Sequence, residues 1–99
     1  MRDDDSLRMK IVLSVQRALL GNISNSVRGV AVDWDEWRIC IIAYFQGEIS
    51  EDDRETMSCV HTEVAADFID LAPVELLLKH LDVPAKMSGY RVWIFLRKE

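Results

Sequence analysis

Leu7, Ile11, Val15, Ala18 and Leu19 recur at the three-and-four spacing of one helix face, and Val12 widens that stripe. The pattern predicts a helix over residues 7–20. Asp5 or Ser6 stands where a helix start wants a capping acceptor, and Gly21 stands where a left-handed residue closes a helix end. Arg8, Lys10 and Arg17 fall on or near the polar side. Residues 22–26 are turn formers. The period then changes from helical to two. Val30, Val32 and Trp34 alternate with Ala31 and Asp33, predicting a strand over 27–34. Asp35-Glu36 makes a short polar turn. Residues 38–45 are apolar on both faces, with Ile39, Ile41, Ala43 and Phe45 on one side and Cys40, Ile42 and Tyr44 on the other. The two strands form an antiparallel hairpin.

Gly47 breaks the second strand, and Ser50 caps a helix over 51–68. Glu51, Asp52 and Asp53 occupy its first turn, where the helix dipole favours negative charge. Met57, Val60, His61, Val64 and Phe68 form its apolar stripe; Asp52, Glu55, Cys59, Thr62, Glu63 and Ala66 lie opposite. Residues 73–83 suit a buried strand or a short helix, ended by Pro84; a strand is favoured. Residues 90–97 alternate, with Tyr90, Val92, Ile94 and Leu96 on one face and Arg91, Trp93, Phe95 and Arg97 on the other, and predict a last strand.

The order αββαββ points to an α+β fold, a two-layer α/β sandwich. Two helices pack on one face of a four-stranded, mainly antiparallel sheet, and the other face is left for water or a partner. A chain of 99 residues is expected to form a single domain over 1–99, with 1–5 a frayed tail.

Composition narrows the function. Hydrophobic residues make up 49% and the mean hydropathy is +0.01, enough for one modest core. No apolar run approaches the roughly 18 residues of a membrane span, and Met1-Arg2-Asp3-Asp4-Asp5 is acidic where a secretory leader is basic. Two cysteines, Cys40 and Cys59, are too few for a disulfide framework. These features point to the cytoplasm.

The net charge is −5, which argues against direct nucleic-acid binding. Residues 33–70 hold eleven acids and two bases, a net −9; the rest holds ten bases and six acids, a net +4. Such asymmetry draws in a basic macromolecule, although a solvated acidic surface that keeps the protein dispersed has the same composition.

Catalytic chemistry finds little support. Cys59 and His61, two apart on a helix, point about 200° from one another, so no metal site forms there. His61 lies on an apolar stripe and reads as a hydrogen-bonded core or boundary residue rather than a general base. Cys59 stands beside Glu55 and Glu63, which oppose a thiolate, and Cys40 lies in an apolar strand. The carboxylates of Asp33, Asp35 and 51–53 sit in turns and at a helix start, and no glycine-rich phosphate loop is present. A small enzyme using His61 or His80 is the weakest reading. No catalytic residue, cofactor or metal is expected. Trp93 and Phe95 beside Arg91 and Arg97 suit base stacking, but the acidic centre opposes it.

The aromatics are the stronger signal. Trp34 and Trp37 flank the Asp35-Glu36 turn, and interfaces favour such anchors among polar neighbours. Trp34 also suits a core position. The expected partner contacts are Asp33, Asp35, Glu36, Trp37, Glu48, Asp52, Asp53, Glu55, Glu63, Trp93 and Phe95.

Four stretches occur in order: Ser14-Val15-Gln16-Arg17-Ala18-Leu19-Leu20-Gly21, Ala43-Tyr44-Phe45-Gln46-Gly47-Glu48-Ile49-Ser50, Glu63-Val64-Ala65-Ala66-Asp67-Phe68 and Leu96-Arg97-Lys98-Glu99. Together they resemble small bacterial immunity proteins of toxin–immunity systems, including contact-dependent growth inhibition and colicins. Extra leucines at 71–87 depart from that pattern. The resemblance implies a protein that binds a cognate toxin domain and blocks its active site, with no catalytic residues to carry over. The acidic surface adds that the toxin is basic, most plausibly a nuclease. The alternative partner is a second copy of the chain, joined through the doubly apolar strand and the Trp93 face.

Overall fold

In the computed structural model, which describes residues 5–88 and 90–99, the elements follow the order α1 (Asp5–Leu19), β1 (Val27–Trp34), β2 (Ile39–Phe45), α2 (Glu51–Asp67), β3 (Val74–His80) and β4 (Val92–Leu96). The expected frayed tail falls on residues 1–4, outside the described residues, and on Asp5, which opens α1. Within residues 73–83, Val74–His80 form a strand, the alternative favoured for the leucine run.

The strands form one sheet in the order β3-β2-β1-β4. β1 pairs antiparallel with β2 and with β4, while β2 and β3 run parallel. The parallel pair follows from the chain path: α2 returns the chain along the sheet before β3 starts, as a crossover helix does. Ser50 caps α2 by accepting the Asp53 N–H at 3.0 Å, and Gly47 adopts φ +76, which turns the chain out of β2.

Both helices cover one sheet face. Leu7, Ile11, Val15, Ala18 and Leu19 of α1 and Met57, Val60, Val64 and Phe68 at α2 meet Val30, Val32 and Trp34 of β1 and Ile39, Ile41, Ala43 and Phe45 of β2. Ser14 donates to the Asp67 carboxylate at 2.6 Å and so ties α1 to α2. His61 donates from Nε2 to the Val74 carbonyl oxygen at 2.6 Å, joining α2 to the start of β3.

The opposite face is not left open along its length. The connection from β3 to β4 passes across it, because those two strands form opposite edges of the sheet. Met87 Sδ and the Trp93 ring lie 3.0 Å from where a Cβ on Gly29 would stand, so glycine lets them reach the sheet. Tyr44 donates to the Tyr90 hydroxyl at 3.3 Å, and Lys79 Nζ reaches the same oxygen at 3.2 Å. Ala31, Ile42 and Tyr44 are buried beneath this cover. The doubly apolar character of β2 therefore has an intrachain cause: it serves two apolar layers. Gly29→Val should cost about 1–3 kcal/mol by overpacking this contact. The measurement is chemical denaturation, and an unchanged midpoint would contradict the close approach.

One sequence expectation is corrected in β4. Phe95 does not share a face with Trp93. The register runs Val32↔Val92, Ala31↔Trp93, Val30↔Phe95 and Gly29↔Leu96, with an irregularity between Val30 and Ala31. Ile94 is the additional residue, so the alternation reverses there. Trp93 faces the outer layer, and Phe95 packs on the helix-side core.

Arg28 fastens the end of the sheet. Only 3% exposed, it donates from Nε and Nη2 to Glu99 at 2.7 and 2.9 Å, and from Nη1 to the Leu81 carbonyl oxygen. One guanidinium thus holds both the chain leaving β3 and the residue three beyond β4. The pairing with Arg28, with help from Arg97, lowers the Glu99 carboxyl from its ordinary 4.5 to about 2. A depressed carboxyl contributes stability that is fully present above about 4.5 and lost as pH falls through about 2. Glu99→Gln should lower the melting temperature at pH 7, and its deficit should shrink across that acid window. A deficit independent of pH would show that the ion pair is not its source.

Candidate binding surfaces

The sequence-derived contacts separate into distinct surfaces. The first is the outward side of α2. Glu51, Asp52, Glu55 and Glu63 are exposed and Asp53 is half-buried; Glu48 stands exposed just before the helix. Their direction follows from the helical period, since the apolar stripe faces the sheet. Six acidic residues lie on α2 against Arg54, its one lysine or arginine. The ion pairs among the described residues are Arg17–Asp67, Arg28–Glu99, Arg38–Glu75, His80–Asp82, Arg91–Asp33 and Arg97–Glu99. Glu48, Glu51, Asp52, Asp53, Glu55 and Glu63 enter none of them. The field along this helix, about 25 Å long at its ordinary rise, is thus directed to solvent.

The second surface is the β1–β2 turn. Asp35 has a structural task there: its Oδ1 accepts the Trp37 and Arg38 N–H groups at 2.7 and 3.0 Å. Those bonds, the Trp37 one foremost, hold its carboxyl below the ordinary aspartate value. They shape the turn so that Trp37 stands 77% exposed beside exposed Glu36. Trp34, by contrast, is in the core and 3% exposed, with the Arg91 guanidinium 4.7 Å from its ring centroid. Asp33 receives Arg91 Nε at 3.3 Å. Asp33, Asp35, Arg38, Cys40, Tyr90 and Arg91 line a cleft of about 360 Å³. Burial pushes the Cys40 thiol up, as an apolar strand position does.

The acidic start of α2 and the turn lie at opposite ends of the sheet. The turn lies at the Trp34–Ile39 end of the hairpin, while α2 starts beyond Phe45 at the other end. Trp93 belongs to the outer layer and Phe95 to the edge beside α1. Among the described residues no group of three or more His, Cys, Asp or Glu side chains could hold a metal ion. Among the described residues no helix is long and apolar enough to cross a membrane.

A third surface contains one of the sequence-derived contacts, Phe95, and otherwise none of them. Leu13, Leu19, Leu20 and Ile23 line an apolar groove of about 710 Å³ with Ile94 and Phe95, rimmed by Gln16 and Arg17. Leu13 is 53% exposed and Leu20 76%. Its signal in the sequence is an excess: Leu13 and Leu20 are leucines outside the stripe that one helix face needs. Their grouping with Ile94 and Phe95 depends on the position of β4 at the sheet edge, which periodicity does not reveal.

A layered α+β scaffold with its unpaired carboxylates, one bare tryptophan and an apolar groove all turned outward is built to bind. The chain matches the MafI2 immunity protein family over residues 8–99 and belongs to that family. It is a small bacterial immunity protein of a toxin–immunity system, and a cognate toxin is its partner. No curated protein matches the chain.

Proposed function

We propose that the protein neutralises its toxin as a stoichiometric inhibitor in the cytoplasm, covering the active site of a basic toxin domain, a nuclease, with its acidic surface. The observation that carries this reading is the set of outward carboxylates on and before α2 that form no ion pair among the described residues. A nuclease must hold phosphates with a positive surface. Carboxylates presented to that surface satisfy it and exclude the substrate. Trp37 supplies an aromatic anchor of the kind that dominates binding energy. Inhibition then needs no bond to be made or broken.

The test is competition. The cognate toxin domain is mixed with a non-cleavable duplex and then with the immunity protein. Mutually exclusive binding is expected, with activity lost at one equivalent. A ternary complex containing both the duplex and the immunity protein would overturn active-site covering.

A further inference from the structure

We propose that Asp35 is a positioning residue and not itself a toxin contact: its carboxylate locks the β1–β2 turn so that Trp37 enters an apolar pocket of the cognate toxin, with a cation at the pocket rim beside Glu36. The proposal deepens the inhibition reading and rests on it for the basic character of the toxin. It assigns the tightest contact to the turn and not to the acidic helix.

The chain has three tryptophans, two tyrosines and three phenylalanines, and all of them but Trp37 are buried or half-buried. Trp37 is 77% exposed, whereas Trp34, on the other side of the Asp35-Glu36 pair, is in the core. A flexible loop could leave a ring in water without consequence, but this turn is tied. The Asp35 N–H donates to the Arg38 carbonyl oxygen at 3.1 Å. Asp35 Oδ1 accepts the Trp37 N–H at 2.7 Å and the Arg38 N–H at 3.0 Å. One carboxylate oxygen thus fixes the backbone at and after the ring, as an aspartate does when it closes a turn on its own chain. At the base of the turn, Asp33 Oδ1 accepts the Trp34 N–H at 2.9 Å, and Arg38 Nη1 lies 3.3 Å from the Glu75 carboxylate of β3. A turn shaped before the encounter loses little backbone freedom on binding. A tryptophan held on such a turn brings a large contact area with only two side-chain torsions to fix. Residues of this kind dominate interface energies.

Charge and symmetry select the occupant. Asp35 and Glu36 are exposed and enter no ion pair among the described residues. Two copies of the turn meeting about a two-fold axis would set Glu36 against Glu36, an unfavourable match. A toxin pocket with a lysine or arginine at its rim meets the same carboxylate favourably, and a toxin is the partner that the family fixes.

The experiment measures the dissociation constant of the cognate toxin domain for wild type, Trp37→Ala, Asp35→Ala, Asp35→Asn and the double variant Asp35→Ala/Trp37→Ala. Both side chains are exposed, and circular dichroism with the melting temperature verifies that each variant folds. Trp37→Ala should raise the constant about thirtyfold or more. Asp35→Ala should raise it about fivefold, and should add nothing once Trp37 is gone. Asp35→Asn removes the charge but keeps the Oδ1 acceptor, so it should bind within about twofold of wild type. Equal losses in Asp35→Asn and Asp35→Ala would make the carboxylate a direct charge contact and overturn the positioning role. So would losses that add in the double variant. Trp37→Ala binding like wild type would overturn the anchor and leave the acidic helix as the inhibitory surface. A ternary complex with duplex, formed while Trp37→Ala still shows its full loss, would overturn active-site covering alone. Trp37 emission, taken as the difference between wild type and Trp37→Phe, should move to shorter wavelength in the complex; unmoved emission would show that the ring enters no pocket. Light scattering of the protein alone should give a monomer. An assembly broken by Trp37→Ala would assign the turn to a second copy and overturn the proposal.

Discussion

Phe45→Ala should lower the free energy of unfolding by about 3–5 kcal/mol, the cost of emptying an aromatic site in a core. Phe45 is fully buried at the end of β2, the strand flanked by β1 and β3, and it belongs to the cluster that both helices close. Its backbone position is also used on both sides: it pairs with Val27 and with His80. Its carbonyl oxygen accepts the Leu81 N–H at 3.0 Å, where the chain turns to cross the outer sheet face. The ring therefore has little freedom to be replaced by collapse of its surroundings. Small domains are stable by only about 5–15 kcal/mol, so this one change removes a large part of the total. Urea denaturation of the variant, with its slope compared to wild type, is the measurement. A loss below about 1 kcal/mol would mean that the helix layer does not pack on β2 as described.

The second large effect concerns binding. Replacing Glu55 and Glu63 together by lysine changes the charge of the α2 face by four units. Both residues are exposed and neither has an ion-pair partner among the described residues, so stability should move little. The association rate with a basic toxin domain should fall about tenfold or more, because steering depends on the summed field. The dissociation rate should change less if these groups lie at the rim of the contact. A control that also changes the charge by four units is Asp33→Lys/Glu75→Lys, at carboxylates that already face Arg91 and Arg38. Its effect on the rate should be far smaller. If the control and the α2 variant behave alike, the α2 face is not the steering surface.

How much of this was legible in the sequence differs by element. The hairpin was, because Val30, Val32 and Trp34 alternate and Asp35 begins a turn whose bonds are local. The helices were, because Ile11, Val15, Val60 and Val64 repeat at a helical period that few other structures tolerate. The acidic side of α2 followed from the same period. Three features depended on tertiary placement. Phe95 changed face because one additional residue entered β4 opposite β1, and a strand apolar throughout carries no local mark of that irregularity. The cover on the outer sheet face was hidden because it needed β3 and β4 to be opposite edges. Only then does Met87 come to lie over Gly29. The groove was hidden for the same reason: Leu13 and Leu20 look like excess apolar residues until β4 brings Ile94 and Phe95 beside them. His61 was legible as a hydrogen-bonded core or boundary residue, since the only polar group on an apolar stripe must find a partner; it is half-buried, and Val74 supplies the partner.

Stopped-flow association of the protein with the toxin domain, repeated across a series of salt concentrations, tests the electrostatic claim most directly. The logarithm of the rate should fall steadily as screening grows, and the Glu55→Lys/Glu63→Lys variant should show a slower rate and a flatter slope. A wild-type rate that stays level from low to high salt would contradict it.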